Sequence, residues 1–299
     1  MARGVGSVLS VVSGLAGLAW VGGGASPAAL ASAEPTPSAP DAGAVTAGDA
    51  ARGEVLAGLA GCLLCHGAQG EGATVEVPGV GAAFAPPITH TALSAWRFSD
   101  WEAAFREGRS PRGTAYGPFF PWKALGGMTD ADLMDIAAWA SALPDAPWST
   151  PTRPKGLWTW IGPAAASRFA APSVSPLPEV GDPTVAAQLA RGRYLVSTVG
   201  HCGSCHDGRT WLGRPDAAAS LGGGPRALAP NITAGDPQIG ALTIEGLADR
   251  LAAGEDAEGE PLVGDMAAIA AHGLARLPEA DRRAIAAWLL AVPAVAVSR

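Results

Sequence analysis

An all-α fold built from two similar halves is predicted by three features of this 299-residue chain. Short blocks of sequence recur in the same order in each half, apolar residues recur at helical spacing where each half opens and closes, and runs suited to strands are hard to find. Much of the remainder is rich in glycine and proline, 40 and 26 residues, and reads as loop.

Residues 1–33 have the pattern of an export signal. Arg3 is a short basic start, Val5 to Val21 an apolar run, and Ala31-Ser32-Ala33 a small-x-small cleavage site. The run is short and Gly/Ser-rich for a membrane span, which needs about 20 apolar residues. Residues 34–48, rich in Ala, Pro and Ser, are expected to form a disordered tether.

The first domain is expected over 49–147 and the second over 184–299. Ala51-Arg52-Gly53 with Val55, Leu56 and Leu59 opens the first as a helix, and Ala190-Arg191-Gly192 with Tyr194, Leu195 and Val199 opens the second. Ala85-Pro86-Pro87-Ile88-Thr89 is answered by Ala229-Pro230-Asn231-Ile232-Thr233, and Ile136-Ala137-Ala138-Trp139 by Ile285-Ala286-Ala287-Trp288. Thr129 with Asp132 three residues on marks a helix start of the capping-box kind, and Pro144 stops that helix. Pro278 starts the corresponding helix and Pro293 ends it. Residues 148–183 form a Pro-rich connector, in which Leu157-Trp158-Thr159-Trp160-Ile161 is apolar enough to be expected to pack across the seam between the domains.

All four cysteines fall in two pentapeptides, Cys62-Leu63-Leu64-Cys65-His66 and Cys202-Gly203-Ser204-Cys205-His206. Cys-x-x-Cys alone also serves thioredoxin-like redox pairs and zinc sites. A histidine directly after the second cysteine is the attachment signature of haem c: two sulfurs bond to the porphyrin and the histidine binds iron from below. Two covalent haem c groups are expected, with Cys62, Cys65, Cys202 and Cys205 as attachment points and His66 and His206 as iron ligands. With only 6 % aromatic residues, each small domain depends on the porphyrin for part of its apolar core.

Without residues 1–33 the chain holds 19 basic and 27 acidic residues, a charge of −8. Residues 34–150 carry 6 basic and 13 acidic side chains, residues 151–299 carry 13 and 14. This balance argues against nucleic acid or an anionic membrane as partner and leaves the first half the more attractive face for a basic protein.

The side of each iron opposite the histidine decides between electron transfer and ligand chemistry. Met128 lies 62 residues after His66 and Met266 lies 60 after His206, so these two are the expected thioether ligands, whereas Met134 falls among the core positions of a helix. Counted back from the repeated tryptophans the match fails: Met266 precedes Trp288 by 22 residues and Met128 precedes Trp139 by 11. His90 and His272 are the competing donors.

From Arg52 to Val295 the sequence resembles the di-haem relatives of the cytochrome c subunits that accompany periplasmic alcohol, aldehyde and sugar-acid dehydrogenases. The resemblance rests on both pentapeptides, Arg191-Gly192-Arg193-Tyr194-Leu195-Val196, Pro230-Asn231-Ile232-Thr233, Met128-Thr129-Asp130-Ala131-Asp132, Asp281-Arg282-Arg283-Ala284-Ile285 and the Trp-rich connector. It implies two tandem class I cytochrome c domains with His/Met ligation, moving single electrons from a periplasmic dehydrogenase to another cytochrome or a terminal oxidase, with no catalytic residues of their own. The export signal and the haem attachment motifs together point to a periplasmic location, with contact to a membrane only through a complex or an uncleaved signal. Many members carry three motifs where this chain has two. Subunits of this kind often have Met-Pro-Tyr where this chain has Phe120-Pro121-Trp122, and a subgroup with Phe-Pro-Tyr places a methionine at the position of Met128. The alternative is a peroxidase-like di-haem enzyme whose first haem is open beside Phe119, Phe120 and Trp122.

Overall fold

The computed structural model describes residues 47–77, 81–117, 119–146 and 174–296. The expected signal peptide, nearly all of the tether, and residues 148–173 of the connector with its Trp-rich stretch lie outside the described residues. Pro40–Arg299 forms one compact unit.

The first half runs α1 (Ala50–Leu59), α2 (Cys62–His66), a hairpin of β1 (Ala73–Val77) and β2 (Gly81–Ala85), then α3 (His90–Leu93), α4 (Phe98–Glu107), α5 (Trp122–Leu125) and α6 (Asp130–Ala142). The second runs α7 (Pro183–Tyr194), a π-helical turn (Leu195–Val199), α8 (Gly203–His206), α9 (Pro237–Gly240), α10 (Ile244–Ala253), α11 (Gly264–His272) and α12 (Glu279–Ala291). The helix-rich fold agrees with the sequence. The hairpin does not: its antiparallel strands pair Ala73 with Ala85 and Val77 with Gly81. The alternation Thr74-Val75-Glu76-Val77 is a β pattern, too short to stand out in a chain dominated by helical spacing.

Opening and closing helices pack in pairs, α1 on α6 and α7 on α12. Asp49 caps α1 by accepting from Ala51 N at 3.0 Å and Arg52 N at 3.1 Å, and Asp182 caps α7 ahead of Pro183. Each pair crosses at the glycine of the repeated Ala-Arg-Gly. A Cβ on Gly53 would stand 1.9 Å from the Asp135 carbonyl oxygen, and one on Gly192 would stand 1.9 Å from that of Ala284. The helices therefore touch backbone to backbone, which only glycine permits.

The preceding arginine ties each pair together. Arg52 reaches Asp132 and Asp135, both at 2.5 Å, and Arg191 reaches Asp281 through two nitrogens at 2.7 and 2.8 Å. Asp132 is thus drawn to Arg52 and not back to the start of its own helix; of the expected capping box only the Thr129 half forms, accepting from Asp132 N at 3.2 Å. Buried Ile136, Ala137, Trp139 and Ala140 on α6 match Ile285, Ala286, Trp288 and Leu289 on α12 as core faces.

The repeat is offset by one residue ahead of the second motif: Gly53 precedes Cys62 by nine positions, Gly192 precedes Cys202 by ten. The π-helical turn Leu195–Val199 absorbs the extra residue. It packs against α5 of the first half.

Candidate functional site

In each half the short helix bearing the motif is held by the same two bonds, one between backbone groups and one from the histidine ring to a backbone carbonyl. The His66 carbonyl accepts from Gly72 N at 2.6 Å, and the His206 carbonyl from Gly223 N at 2.8 Å. The His66 Nδ1–H donates to the Pro86 carbonyl at 2.6 Å, and the His206 Nδ1–H to the Pro230 carbonyl at 2.7 Å. A histidine whose Nδ1 is committed in this way carries its proton there and offers the lone pair of Nε2 to a metal. Burial, the first cause, lowers both imidazole pKa values and favours the neutral, ligating form.

Pro86 and Pro230 are the first prolines of the two repeated Pro-x-Ile-Thr blocks. Sequence reasoning identifies these blocks as repeats without giving them a role, because an acceptor on the main chain leaves no side-chain signature. Beyond the proline, Asn231 accepts from Thr233 N and Thr233 Oγ1 at 2.8 Å each and donates to Val295 O at 2.7 Å, so the C-terminal segment buttresses the second proline turn.

No disulfide joins any of the four cysteines. Burial pushes Cys62 and Cys202 up to about 12, and raises Cys65 and Cys205 as well. A redox-active thiol pair needs a stabilised thiolate, and burial of Cys62 and Cys202 works against one. Nor, among the described residues, do three or more His, Cys, Asp or Glu side chains gather on one point as metal ligands. Two sulfurs spread along one face with a neutral histidine behind them fit a porphyrin, whose vinyl groups and iron are separate points of attachment.

The two motifs are neighbours. After burial, Cys65 is raised by Asp265 and by Cys205, and Asp265 also acts on Cys205, so the second cysteines of both motifs lie near the start of α11. That helix carries Met266, partly buried against the core. Met128 is 3 % exposed and precedes α6; Met134 lies on α6, partly buried. His90 is exposed with Nδ1 bonded to Ser141 O at 2.8 Å, and His272 is exposed at the end of α11.

The seam between the halves is polar and tight. The Tyr194 hydroxyl accepts from Thr129 N at 3.1 Å and donates to Asp132, His201 Nε2 bonds to Ala60 O at 3.1 Å, and Arg276 pairs with Glu54 at 2.8 Å. A Cβ on Gly58 would stand 2.2 Å from the His272 carbonyl oxygen. These seam residues were not recognisable in advance, since Tyr194 and His201 act on partners 65 and 141 residues away.

No protein-family model matches the chain. It is similar to a protein named diheme cytochrome c-type from Cereibacter sphaeroides, 32 % identical with 97 % of each chain covered. It is also similar to the fructose dehydrogenase cytochrome subunit of Gluconobacter japonicus, at 31 % over 89 % of this chain, and to the cytochrome c subunit of the quinone alcohol dehydrogenase of Gluconobacter oxydans, at 27 % over 82 %. The chain spans 56 % and 55 % of those two subunits, about half their length. With both haem c attachment motifs in matching frames and this similarity along nearly its whole length, the chain belongs to the di-haem c-type cytochromes.

Proposed function

We propose that the chain is an exported electron-transfer cytochrome with two domains, 49–147 and 184–299, that accepts single electrons from a periplasmic dehydrogenase and passes them to another cytochrome or a terminal oxidase. The observation that carries this reading is the duplicated histidine frame, the Pro86 and Pro230 carbonyls each holding a motif histidine inside one compact unit. The dehydrogenase donor is inferred from the relatives' names. Export follows from residues 1–33; among the described residues no helix is long and apolar enough to cross a membrane.

When bound, each haem supplies a one-electron couple. Cys62 and Cys65 would hold the first through thioethers, Cys202 and Cys205 the second, with His66 and His206 on the irons and Met266 opposite His206. The protein's contribution is to keep each Nδ1 proton on a proline carbonyl, so that neither histidine can rotate away. The nearness of the motifs, whose second cysteines both feel the Asp265 charge, suits passage of an electron from one half to the other.

Reductive titration of the purified holo-protein should consume two electron equivalents per chain. Rapid mixing of the reduced form with an oxidised, basic mitochondrial-type cytochrome c should transfer them, more slowly as salt rises, because the exported chain is acidic and its attraction is screened. Uptake of one equivalent, or no transfer at any ionic strength, would remove the carrier assignment.

A further inference from the structure

We propose that the first iron has no methionine opposite His66: Phe120 holds there the place that Met266 holds in the second half, and Met128 is a core side chain. Two independent registers support it, one from each end of the segment concerned.

The upstream register starts at α4 and α10. Both have ten residues and end at a glycine of positive φ, Gly108 at 65° and Gly254 at 71°. Each is followed by the same bridged loop, closed by Arg109 against Ala115 and by Glu255 against Pro261. Within it Gly113 N bonds to Ser110 O at 2.8 Å and Gly259 N to Asp256 O at 3.2 Å, and the chain leaves through Tyr116 N to Gly108 O at 2.7 Å and Leu262 N to Gly254 O at 2.9 Å. Five residues beyond the bridge stand Phe120 and Met266.

The downstream register starts at α6 and α12. Both have 13 residues, with Thr129 and Pro278 as N-caps. The residue before each cap is Met128 in one half and Leu277 in the other, 3 % and 4 % exposed and both in the apolar core. Met128 therefore packs as a leucine would. Its neighbours also fix it: Thr129 N is bonded to Tyr194 OH, and a Cβ on Gly127 would stand 3.2 Å from the Thr198 hydroxyl oxygen, so this turn is pressed on the second half.

Between the two registers the segments differ by three residues: Ala115 to Thr129 spans fourteen positions, Pro261 to Pro278 seventeen. The near-equal His-to-Met distances that favour Met128 arise from compensation: the second half is nine residues longer from motif histidine to helix cap, and Met266 stands eleven residues farther ahead of its cap than Met128 does. Phe120 packs edge-on against Phe105 and Tyr116, with centroids at 5.4 and 5.3 Å. A phenyl ring has no lone pair to give. An iron held by His66 alone, facing an aromatic wall, suits a small neutral diatomic ligand such as carbon monoxide.

This inference rests on the reading of the chain as di-haem. The test is carbon monoxide titration of the reduced holo-protein, with the red sulfur-to-iron charge-transfer band of the oxidised form as a second readout, after covalent haem has been counted. The wild type should bind one carbon monoxide per chain. Met128→Leu, the residue found at position 277, should keep both band and stoichiometry, whereas Phe120→Met should about double the band and abolish carbon monoxide binding. A wild type that binds none, or a Met128→Leu variant that loses half the band and gains a carbon monoxide site, overturns the inference. A count other than two haems instead removes the di-haem reading beneath it.

Discussion

The two halves agree in their helix crossings and in the bonds that hold the motif histidines, and disagree in the segments that precede their closing helices. Arg52-Gly53 and Arg191-Gly192, the closing helices α6 and α12, and the bonds from His66 to Pro86 and from His206 to Pro230 correspond role for role. The segments before the closing helices do not: α5 has four residues and α11 nine. The frame around the motif histidines is therefore the shared part of the repeat, and the segments before the closing helices are the part that differs.

The largest expected effect tests whether the helix crossings are equivalent. Gly53→Ala and Gly192→Ala each place a methyl 1.9 Å from a backbone oxygen, so the helices must part. Each should cost ~3 kcal/mol, at the upper end for overpacking, and should depress haem incorporation in its own half. Thermal unfolding and haem content per chain measure both; a tolerated alanine at either site would show that the crossings are not equivalent.

A smaller difference is expected between the arginines. Arg52 serves two buried aspartates and Arg191 a single, partly exposed one, and each arginine is itself partly in solvent, which discounts its contribution. Arg52→Ala should cost about 2 kcal/mol and Arg191→Ala about 1 kcal/mol, read from denaturant midpoints at constant slope. Equal losses would mean that Asp135 contributes nothing.

Tyr194→Phe sharpens the comparison from the seam. It is a second-half residue, yet its loss removes the partner of Thr129 N and of Asp132 Oδ2 in the first half. The expected cost is about 1 kcal/mol, a fall in Tm of roughly 3 °C.

The smallest effect is a pH dependence at His201. Burial, opposed by the bond to Ala60 O, lowers its pKa. The unfolded chain then binds the proton more readily, so the seam's stability is complete above the ordinary histidine value of about 6.5 and declines as pH falls below it. His201→Asn should flatten that decline; an unchanged acid limb would assign it to other groups.

The two Cys-x-x-Cys-His motifs and the helix pairs were legible because covalent chemistry and helical packing both impose fixed spacing. What was not legible depends on contacts distant in sequence or on the backbone. The proline carbonyls present no side chain, Tyr194 and His201 look like ordinary helix and loop residues until the halves meet, and the one-residue offset before Cys202 becomes a π-helical turn only when both neighbouring anchors are fixed. Spacing from His66 points to Met128; packing gives that residue a leucine's environment, which only comparison of the folded halves discloses.

The most direct test of the duplicated frame is the mass of the denatured, exported chain and of its proteolytic peptides. The account predicts two covalent haems, one on the peptide holding Cys62 and Cys65 and one on that holding Cys202 and Cys205, with no titratable thiol remaining. One haem per chain, or a free thiol or disulfide in either motif of the holo-protein, would contradict it.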